Sequence, residues 1–457
     1  MDNVNSLTAN NHFISERMDR LPVSKIHYKI LCLTGLGMFL DSFDIYLASS
    51  VLSSLLKSGW STITLNATFI SASFIGLLIG ALLTGFLGDK YGRKFVYRLD
   101  LLIFGGASLV AAISPNMTFL IACRGVIGIG LGAEIVTGYA LLGEFVPAKV
   151  RGRWVSMLSL ITNIAVPISA LLGLIIIPTI GWRYMFVFVG VFSLIVWYMR
   201  KMLPESPRWY ESKGRYEDAE KTVEMFEKSV EKSENIKLSP IDTSKVHQNK
   251  ENVTATEGKF SDLFKGKMLS RTIVGCITLI TINTLIYTFI TWAPTLFLKS
   301  GINLSKSLGY TTIMMIGAPL GAIIGSFIVD RYGRKWCLVL SMILAGVIGY
   351  AYPLQRSMSI ILILGFLLTI LIYILVTVGL AVYVPEMFPT KIRLRGTGLA
   401  NAAGRLATIF SPYGVAFLLT NYGSRPIFTC LGILLALTAF IIAVFGVETK
   451  QKPLEEI

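Results

Sequence analysis

Charged residues are scarce in this chain. They make up 15% of its 457 residues, whereas hydrophobic residues make up 53% and the mean hydropathy is +0.65. A soluble globular domain carries about 25% charged residues. This scarcity excludes an ordinary soluble fold and indicates a protein that lies mostly in a lipid bilayer.

Cysteine is scarce too, and the five cysteines occur singly along the sequence. Their spacing fits neither a metal site nor a disulfide framework. The sequence also lacks a nucleophile–base set, so we predict no cofactor, no metal and no enzymatic activity. Residues 1–25 are polar and lack the apolar segment of a cleavable signal peptide.

The chain has instead a series of apolar runs of about 20 residues or more, each able to cross a hydrocarbon core of about 30 Å as a helix. A membrane β-barrel would show weak alternation of polar and apolar residues, so helices are the predicted spanning elements. We therefore expect an all-α integral membrane protein with twelve transmembrane helices. The runs lie near residues 30–56, 67–87, 95–113, 118–142, 154–180, 184–200, 272–298, 307–329, 336–353, 358–384, 396–420 and 426–447.

Two motifs repeat along the chain at nearly the same distance. The segment GFLGDKYGRK at 85–94 returns as GSFIVDRYGRK at 325–335, and Asp330 follows Asp89 by 241 positions. Similarly, Glu386 follows Glu144 by 242 positions, in the related segments EMFPTKIR and EFVPAKVR. A shared long period indicates an internal duplication, and hence two pseudo-symmetric six-helix bundles. We divide the chain into an N-terminal lead (1–27), a first bundle (28–200), a linker with short amphipathic helices (201–271), a second bundle (272–447) and a tail (448–457).

The net charge of +15 could indicate a nucleic-acid partner, but the basic residues concentrate on one side of the predicted membrane. The short loops on that side each hold at least three basic residues, and the loops on the other side hold at most two. This is the positive-inside bias. It predicts a multi-pass protein of the plasma membrane with both termini in the cytoplasm, and it argues against binding of nucleic acid.

The first half carries ionisable residues inside its apolar runs. Asp41 and Asp44 share one helix face in the first run, and Arg124 and Glu134 lie in the fourth. Ionisable residues at this depth are rare and often mark proton or substrate paths. We interpret Asp44 and Arg124 as a proton switch, because moving the arginine away makes the aspartate easier to protonate. Asp41 and Glu134 are further proton-coupling candidates. The alternatives are aspartates that cap a helix break, a static Asp44–Arg124 ion pair, and a structural bond from Glu134 to a neighbouring helix.

The second half has fewer charges in the membrane. The candidate substrate-binding residues there are Asn283, Tyr287, Trp292, Tyr373, Asn401 and Arg405. Aromatic side chains in membrane helices serve packing or interface anchoring more often than binding. Arg405 lies about 14 Å into its helix and cannot easily reach water. It therefore needs a carboxylate, either from a substrate or from Asp41 or Asp44 across the boundary between the halves.

These residues resemble the signatures of the major facilitator superfamily over essentially the whole chain: the loop at 85–94, its copy at 330–335, and RGVIGIGLG at 124–132. The segments PESPRW, PEMFPT and VETK look like the branch of sugar porters and organic-ion transporters. Within it, DSFD, GLGAE and GTGLANAAGR look more like the metabolite–proton symporters for aromatic acids, nicotinate and similar acids. The paired glutamines of sugar porters are replaced by TINTLIY at 281–287. By this resemblance, Asp44 stands where proton-coupled members have their protonatable aspartate, and Arg124 where they have its partner.

The resemblance implies alternating access, in which two bundles rock about a central site. We expect a monomer in the lipid bilayer that couples protons to uptake of a small organic acid, with Arg405 or Arg124 meeting the carboxylate. The alternatives are a sugar or polyol porter and a membrane sensor that does not transport. A network of ion pairs is expected to gate the cytoplasmic side; its candidate residues are Asp89, Arg93, Glu144, Arg151, Asp330, Arg334, Glu386, Arg393, Glu205 and Arg208.

Overall fold

The structure is a computed structural model that describes residues 13–147, 149–238, 260–389 and 392–450. Within these ranges, 12 helices are long and apolar enough to cross a membrane. This confirms the predicted all-α fold. Residues 1–12 of the predicted lead, 239–259 of the linker and 451–457 of the tail lie outside the described residues.

The first half of the chain contains one short helix and six membrane-spanning helices. They are α1 (Ile14–Asp19), α2 (Lys25–Lys57), α3 (Ile63–Tyr91), α4 (Arg93–Ala112), α5 (Met117–Phe145), α6 (Arg151–Thr179) and α7 (Arg183–Met199). The amphipathic helices predicted in the linker correspond to α8 (Pro207–Ser212) and α9 (Tyr216–Glu234).

The second half repeats this arrangement with two interrupted spans. Its helices are α10 (Gly266–Lys299), α11 (Leu304–Met315), α12 (Gly317–Tyr332), α13 (Arg334–Ala351), α14 (Met358–Leu375), α15 (Val384–Glu386), α16 (Arg393–Asn421) and α17 (Arg425–Phe445). Together α11 and α12 form one span, and a π-helical segment, Val376–Tyr383, joins α14 to α15 within another.

The repeated glycines of the basic loops explain how α3 joins α4 and how α12 joins α13. Gly92 and Gly333 have φ angles of 101° and 88°, a region that glycine adopts at little cost because it has no Cβ. A single residue therefore reverses the chain in each half. We call the side of the membrane that carries these loops the basic side.

The two halves touch in the middle of the membrane and toward the side opposite the basic side. Helix α2 packs against α10, α3 against α16, and α6 against α11. Ser71 of α3 donates a hydrogen bond to the backbone oxygen of Ile409 at 2.7 Å, and Tyr373 donates to the Tyr46 hydroxyl at 3.0 Å. The first of these contacts joins α3 to α16, and the second joins α14 to α2.

The described part of the lead is a helix that is docked on the linker. Arg17 of α1 and Arg20, the residue that follows α1, each lie 2.6 Å from a carboxylate oxygen of Glu227 in α9. Burial opposes ionisation of Glu227, but the hydrogen bonds from the two arginines outweigh it and lower the pKa of this carboxyl. Ile14 and Met18 are buried in the same apolar cluster as residues of α5 and α9. The lead therefore ties the linker to the first six-helix bundle.

Candidate functional site

Asp44 and Arg124 form an ion pair that is closed to solvent, with 0% and 1% of their side chains exposed. Nη1 of Arg124 donates to Oδ2 of Asp44, and Nη2 donates to the Asp44 backbone oxygen at 3.0 Å. Nε donates to the Ser73 hydroxyl at 2.7 Å, and the guanidinium lies 5.1 Å from the Phe69 ring centroid. The arginine is thus held by groups from both α2 and α3.

Small residues on α5 allow this arrangement. A Cβ on Gly128 would collide with the backbone oxygen of Ser73, and one on Gly132 would collide with that of Leu77. Close approach of α3 and α5 at glycines is a common way to pack membrane helices. It brings Ser73 within hydrogen-bonding distance of Arg124.

The Asp44–Arg124 pair lies next to the boundary between the halves. Arg124 lines a small cavity together with Ser73 and Phe74 of α3 and Thr291 of α10, which belongs to the second half. A change in the relative position of the halves would therefore alter the surroundings of Arg124.

A second buried charge group lies nearer the basic side, in the first half. Nη1 and Nη2 of Arg200 lie 2.7 and 2.5 Å from the two carboxylate oxygens of Glu134, and Nη1 also lies 3.4 Å from Oδ1 of Asp100. The Tyr97 backbone oxygen accepts from Arg200 at 2.6 Å, and the Tyr97 ring covers the guanidinium at 3.5 Å. Glu134 therefore bonds to a neighbouring helix, as one of the sequence alternatives stated.

The sequence analysis did not identify Asp100 or Arg200 as functional candidates. The signal was available, because both are ionisable residues within or at the end of apolar runs. Their 0% side-chain exposure could only be established once α4, α5 and α7 were packed together.

Asp41 lies one helical turn before Asp44 and is 2% exposed. Among the described residues, its Oδ1 atom has no hydrogen-bond partner. The proton-coupling role of Asp41, Asp44, Arg124 and Glu134 stays a prediction.

In the second half, Arg405 lies beside an aromatic group that crosses the boundary between the halves. Its Nη1 is 3.5 Å from the Tyr287 hydroxyl, and the Tyr287 ring lies 4.4 Å from that of Phe74 in α3. Within the described residues, Arg405 has no ion pair to Asp41 or Asp44.

The other candidate substrate-binding residues differ in how accessible they are. Asn283 and Asn401 donate to carbonyl oxygens of their own helices at 2.8 and 2.9 Å. Trp292 and Tyr373 are 2% and 1% exposed, and Tyr373 contacts Tyr46 of the first half. Trp292 and Tyr373 are therefore enclosed by protein, and their substrate-binding role stays a prediction.

The two basic loops are fixed in the same way in each half. Glu205 accepts from the backbone nitrogens of Arg93 and Lys94 at 3.0 and 3.1 Å, and Glu448 accepts from those of Arg334 and Lys335 at 2.9 and 3.1 Å. Each carboxylate thus binds the N-terminus of a helix, where the helix dipole favours negative charge. Burial raises the pKa of Glu205, and hydrogen bonds from the Ser206, Lys94 and Arg93 backbone nitrogens partly offset this.

The other predicted gate residues also make contacts within a half or with the lead. Arg93 lies 3.6 Å from Glu144, and Arg334 lies 2.9 Å from Glu386. The remaining contacts are Arg151 and Arg208 to Asp19, and Arg393 to the Phe388 backbone oxygen. The side chains of Asp89 and Asp330 lie outside the described residues. A gate formed between the halves stays a prediction.

Comparison with known proteins gives a consistent result. A family model described as "Sugar (and other) transporter" matches residues 31–457. The chain is 41% identical over 445 residues to the inner membrane metabolite transport protein YdjE of Escherichia coli K12, covering 97% of this chain and 98% of that protein. It is 30% identical over 445 residues to the niacin transporter NiaP of Acinetobacter baylyi, covering 96% and 98%. Among solved structures, it resembles an inward-open conformation of the xylose transporter XylE from E. coli with a TM-score of 0.76 and 20% identity, covering 94% of this chain and 98% of that one.

Proposed function

Because this chain belongs to the family of sugar and other transporters in the major facilitator superfamily, we propose that it is a proton-coupled carrier of a small organic acid. The family consists of membrane transporters and not enzymes, as the sequence analysis predicted. We further propose that the basic side faces the cytoplasm, since four loops on that side carry the excess of lysine and arginine.

The observation that carries the choice of substrate is Arg405. This half-buried arginine lies beside Tyr287 at the boundary between the halves, and no carboxylate of the described residues pairs with it. An arginine can bind a carboxylate through two parallel hydrogen bonds, which makes it well suited to an acidic substrate. The 30% identity to a niacin transporter supports this choice, because niacin is an aromatic carboxylic acid.

The Asp44–Arg124 pair supplies the proposed coupling. A buried ion pair is hard to break, because an unpaired charge in the membrane costs about 3–5 kcal/mol. Protonation makes Asp44 neutral, so Arg124 is then the one charged member of the pair. Separating the two side chains therefore leaves one unpaired ion instead of two. The loaded carrier then turns toward the other side of the membrane, and loss of the proton re-forms the pair.

The alternative substrate is a sugar or polyol. The fold that the chain shares with a xylose transporter leaves this class open, and the amide oxygens of Asn283 and Asn401 could accept from hydroxyl groups. The two asparagines already donate to their own helices, which reduces what they can offer to a sugar.

Uptake by proteoliposomes tests the proposal. Radiolabelled nicotinate, benzoate and xylose would each be offered with the outside acidic, and protein-free liposomes would correct for passive entry of the uncharged acids. We expect protein-dependent accumulation of an acid and not of xylose. Arg405→Ala should abolish acid uptake, whereas Arg425→Ala, at the exposed start of α17, should leave it unchanged. Uptake of xylose alone, or full acid uptake by Arg405→Ala, would overturn the assignment.

A further inference from the structure

We propose that Asp41, Asp100, Glu134 and Arg200 form a second proton-binding site, separate from the Asp44–Arg124 pair and nearer the basic side of the membrane. This inference deepens the proposed function and rests on its proton coupling. We call these four residues the inner acid cluster.

The carboxyl groups of Glu134 and Asp100 share one guanidinium, that of Arg200. Its guanidinium binds both oxygens of Glu134 and also approaches Oδ1 of Asp100. The side chains of Arg200 and Asp100 are 0% exposed and that of Glu134 is 3% exposed. The second oxygen of Asp100, Oδ2, is buried without a partner among the described residues. A purely structural ion pair would need only one of these carboxylates.

Asp41 connects this group to Asp44. Gly37, one turn before Asp41 on α2, touches the Arg200–Glu134 pair so closely that a Cβ there would collide with Nη2 of Arg200 and Oε1 of Glu134. The side chain at Asp41 therefore projects from the same part of α2, directly beyond the pair. Its buried Oδ1 has no partner among the described residues.

The charges around Asp41 are mostly negative. Glu134 of α5, Asp100 of α4 and Asp44 of its own helix act on it, and the positive charge among its principal neighbours is Arg405, in the second half. Arg200 is engaged by Glu134 and Asp100. Movement of Arg405 with the second half would therefore change the electrostatic environment of Asp41.

Charge balance supports bound protons in the inner acid cluster. The inner acid cluster holds three carboxyl groups and one guanidinium in a region closed to water, and the guanidinium contacts only two of the three, Glu134 and Asp100. A buried carboxylate without a partner costs several kcal/mol, and such a group takes up a proton instead. With Asp44 already ionised against Arg124 and both oxygens of Glu134 bound by Arg200, the surplus protons are assigned to Asp41 and Asp100, each of which has a buried oxygen without a partner among the described residues. Interacting groups of this kind titrate together, so the protons belong to the cluster and not to one residue.

Infrared spectroscopy of the purified full-length protein in lipid nanodiscs tests the proposal without a substrate. We would record the carboxyl absorption between about pH 5 and about pH 9 for the wild type and for Asp100→Asn and Asp41→Asn. The Asp100→Asn change removes the surplus acid and keeps the Glu134–Arg200 contact, so this variant is expected to fold. Asp218→Asn, which alters an exposed surface pair, is the matched control.

The expected result is a protonated-carboxyl signal in the wild type that persists at neutral pH. Asp100→Asn and Asp41→Asn should each reduce the area of this signal, whereas Asp218→Asn should keep all of it. The absence of the signal from the wild type, or its full retention in both cluster variants, would overturn the proposal. If Arg200 had a purely structural role, Asp100→Asn and Asp41→Asn would both have the same protonated-carboxyl signal as the wild type.

A second measurement covers the case in which one of the variants is unstable. If the native protein holds a proton that the unfolded chain releases, thermal stability falls as the pH rises. The Tm of Asp100→Asn should then fall less with pH than that of the wild type; an equal fall would overturn the proposal. Both measurements omit substrate, so failure of the organic-acid assignment leaves their outcome unaffected. Conversely, a protein that accumulates acid but lacks the infrared signal would keep its proposed function and lose this site.

Discussion

Replacing Asp44 by asparagine is the sharpest test of how protons drive this carrier. Asparagine keeps the shape of the side chain and an oxygen that can accept from Nη1 of Arg124. The hydrogen bonds from Arg124 to the Asp44 backbone oxygen and to Ser73 also remain. What disappears is the negative charge opposite an arginine that is 1% exposed. Removing one partner of a buried pair costs about 3–5 kcal/mol, and the retained acceptor places the loss in stability near the lower end of that range.

The effect on transport is larger and different in kind. A gradient of one pH unit corresponds to about 1.4 kcal/mol, so each coupled proton supports about a tenfold accumulation of substrate. The wild type should therefore accumulate its acid about tenfold per coupled proton across such a gradient. Asp44→Asn should accumulate none, because it cannot take up and release a proton at this position. Exchange of labelled for unlabelled substrate should survive, since it requires no net proton movement.

The assay is uptake by proteoliposomes, with and without a pH gradient, using the acid that the wild type transports best. Asp218→Asn serves as a control for removal of a charge at the surface. Normal accumulation by Asp44→Asn would refute the assigned role of the pair. Loss of both accumulation and exchange, in a protein that is folded by thermal shift, would show that Asp44 does more than couple protons and would equally refute the argument.

Three further predictions concern the contacts at the basic side and in the inner acid cluster. Glu448→Gln removes the charge that binds the start of α13 and should increase amide hydrogen exchange there, while exchange in the matching loop at Glu205 should not change. An equal change in exchange in the two loops would contradict this prediction. Because the pKa of Glu227 is lowered in the folded protein, its bonds to α1 should persist at neutral pH and be lost only as the pH falls below the usual value of 4.5 through that lowered pKa; protection of α1 from hydrogen exchange that stays constant over this pH range would contradict the prediction. Gly37→Ala should separate Arg200 from Glu134 and lower the Tm by a few degrees, corresponding to about 1–3 kcal/mol of overpacking, whereas Gly106→Ala, with open space around it, should leave the Tm nearly unchanged.

The order of apolar runs predicted the twelve helices well, because a single segment in lipid can form all its backbone hydrogen bonds internally as a helix. The helix ends were less predictable. For example, α2 begins at Lys25 and α10 begins at Gly266, so both start several residues before the apolar runs near 30–56 and 272–298. Hydropathy has no signal for a helix that continues into water, where capping groups and packing against the lead and linker decide its length.

The ionisable residues show a similar division. The sequence analysis paired Asp44 with Arg124 because both are ionisable residues deep within apolar runs, and the ion pair is present in the folded protein. The partner of Glu134 could not be inferred, because Arg200 stands at the end of its apolar run, where an arginine side chain can usually extend to the interface instead of being buried. The two residues come together only when α5 and α7 pack against α4.

The sequence by itself determined that this protein crosses a membrane twelve times, that it consists of two copies of one unit, and that Asp41, Asp44, Arg124, Glu134 and Arg405 lie within the lipid. These properties follow from composition and spacing, which act locally along the chain. The tertiary structure alone decided which carboxylate each arginine pairs with, that α1 binds the linker, and that two buried acids, Glu134 and Asp100, share the Arg200 guanidinium. Those outcomes depend on the close approach of helices at glycines such as Gly37 and Gly128, and the distances between their side chains are set by packing in three dimensions.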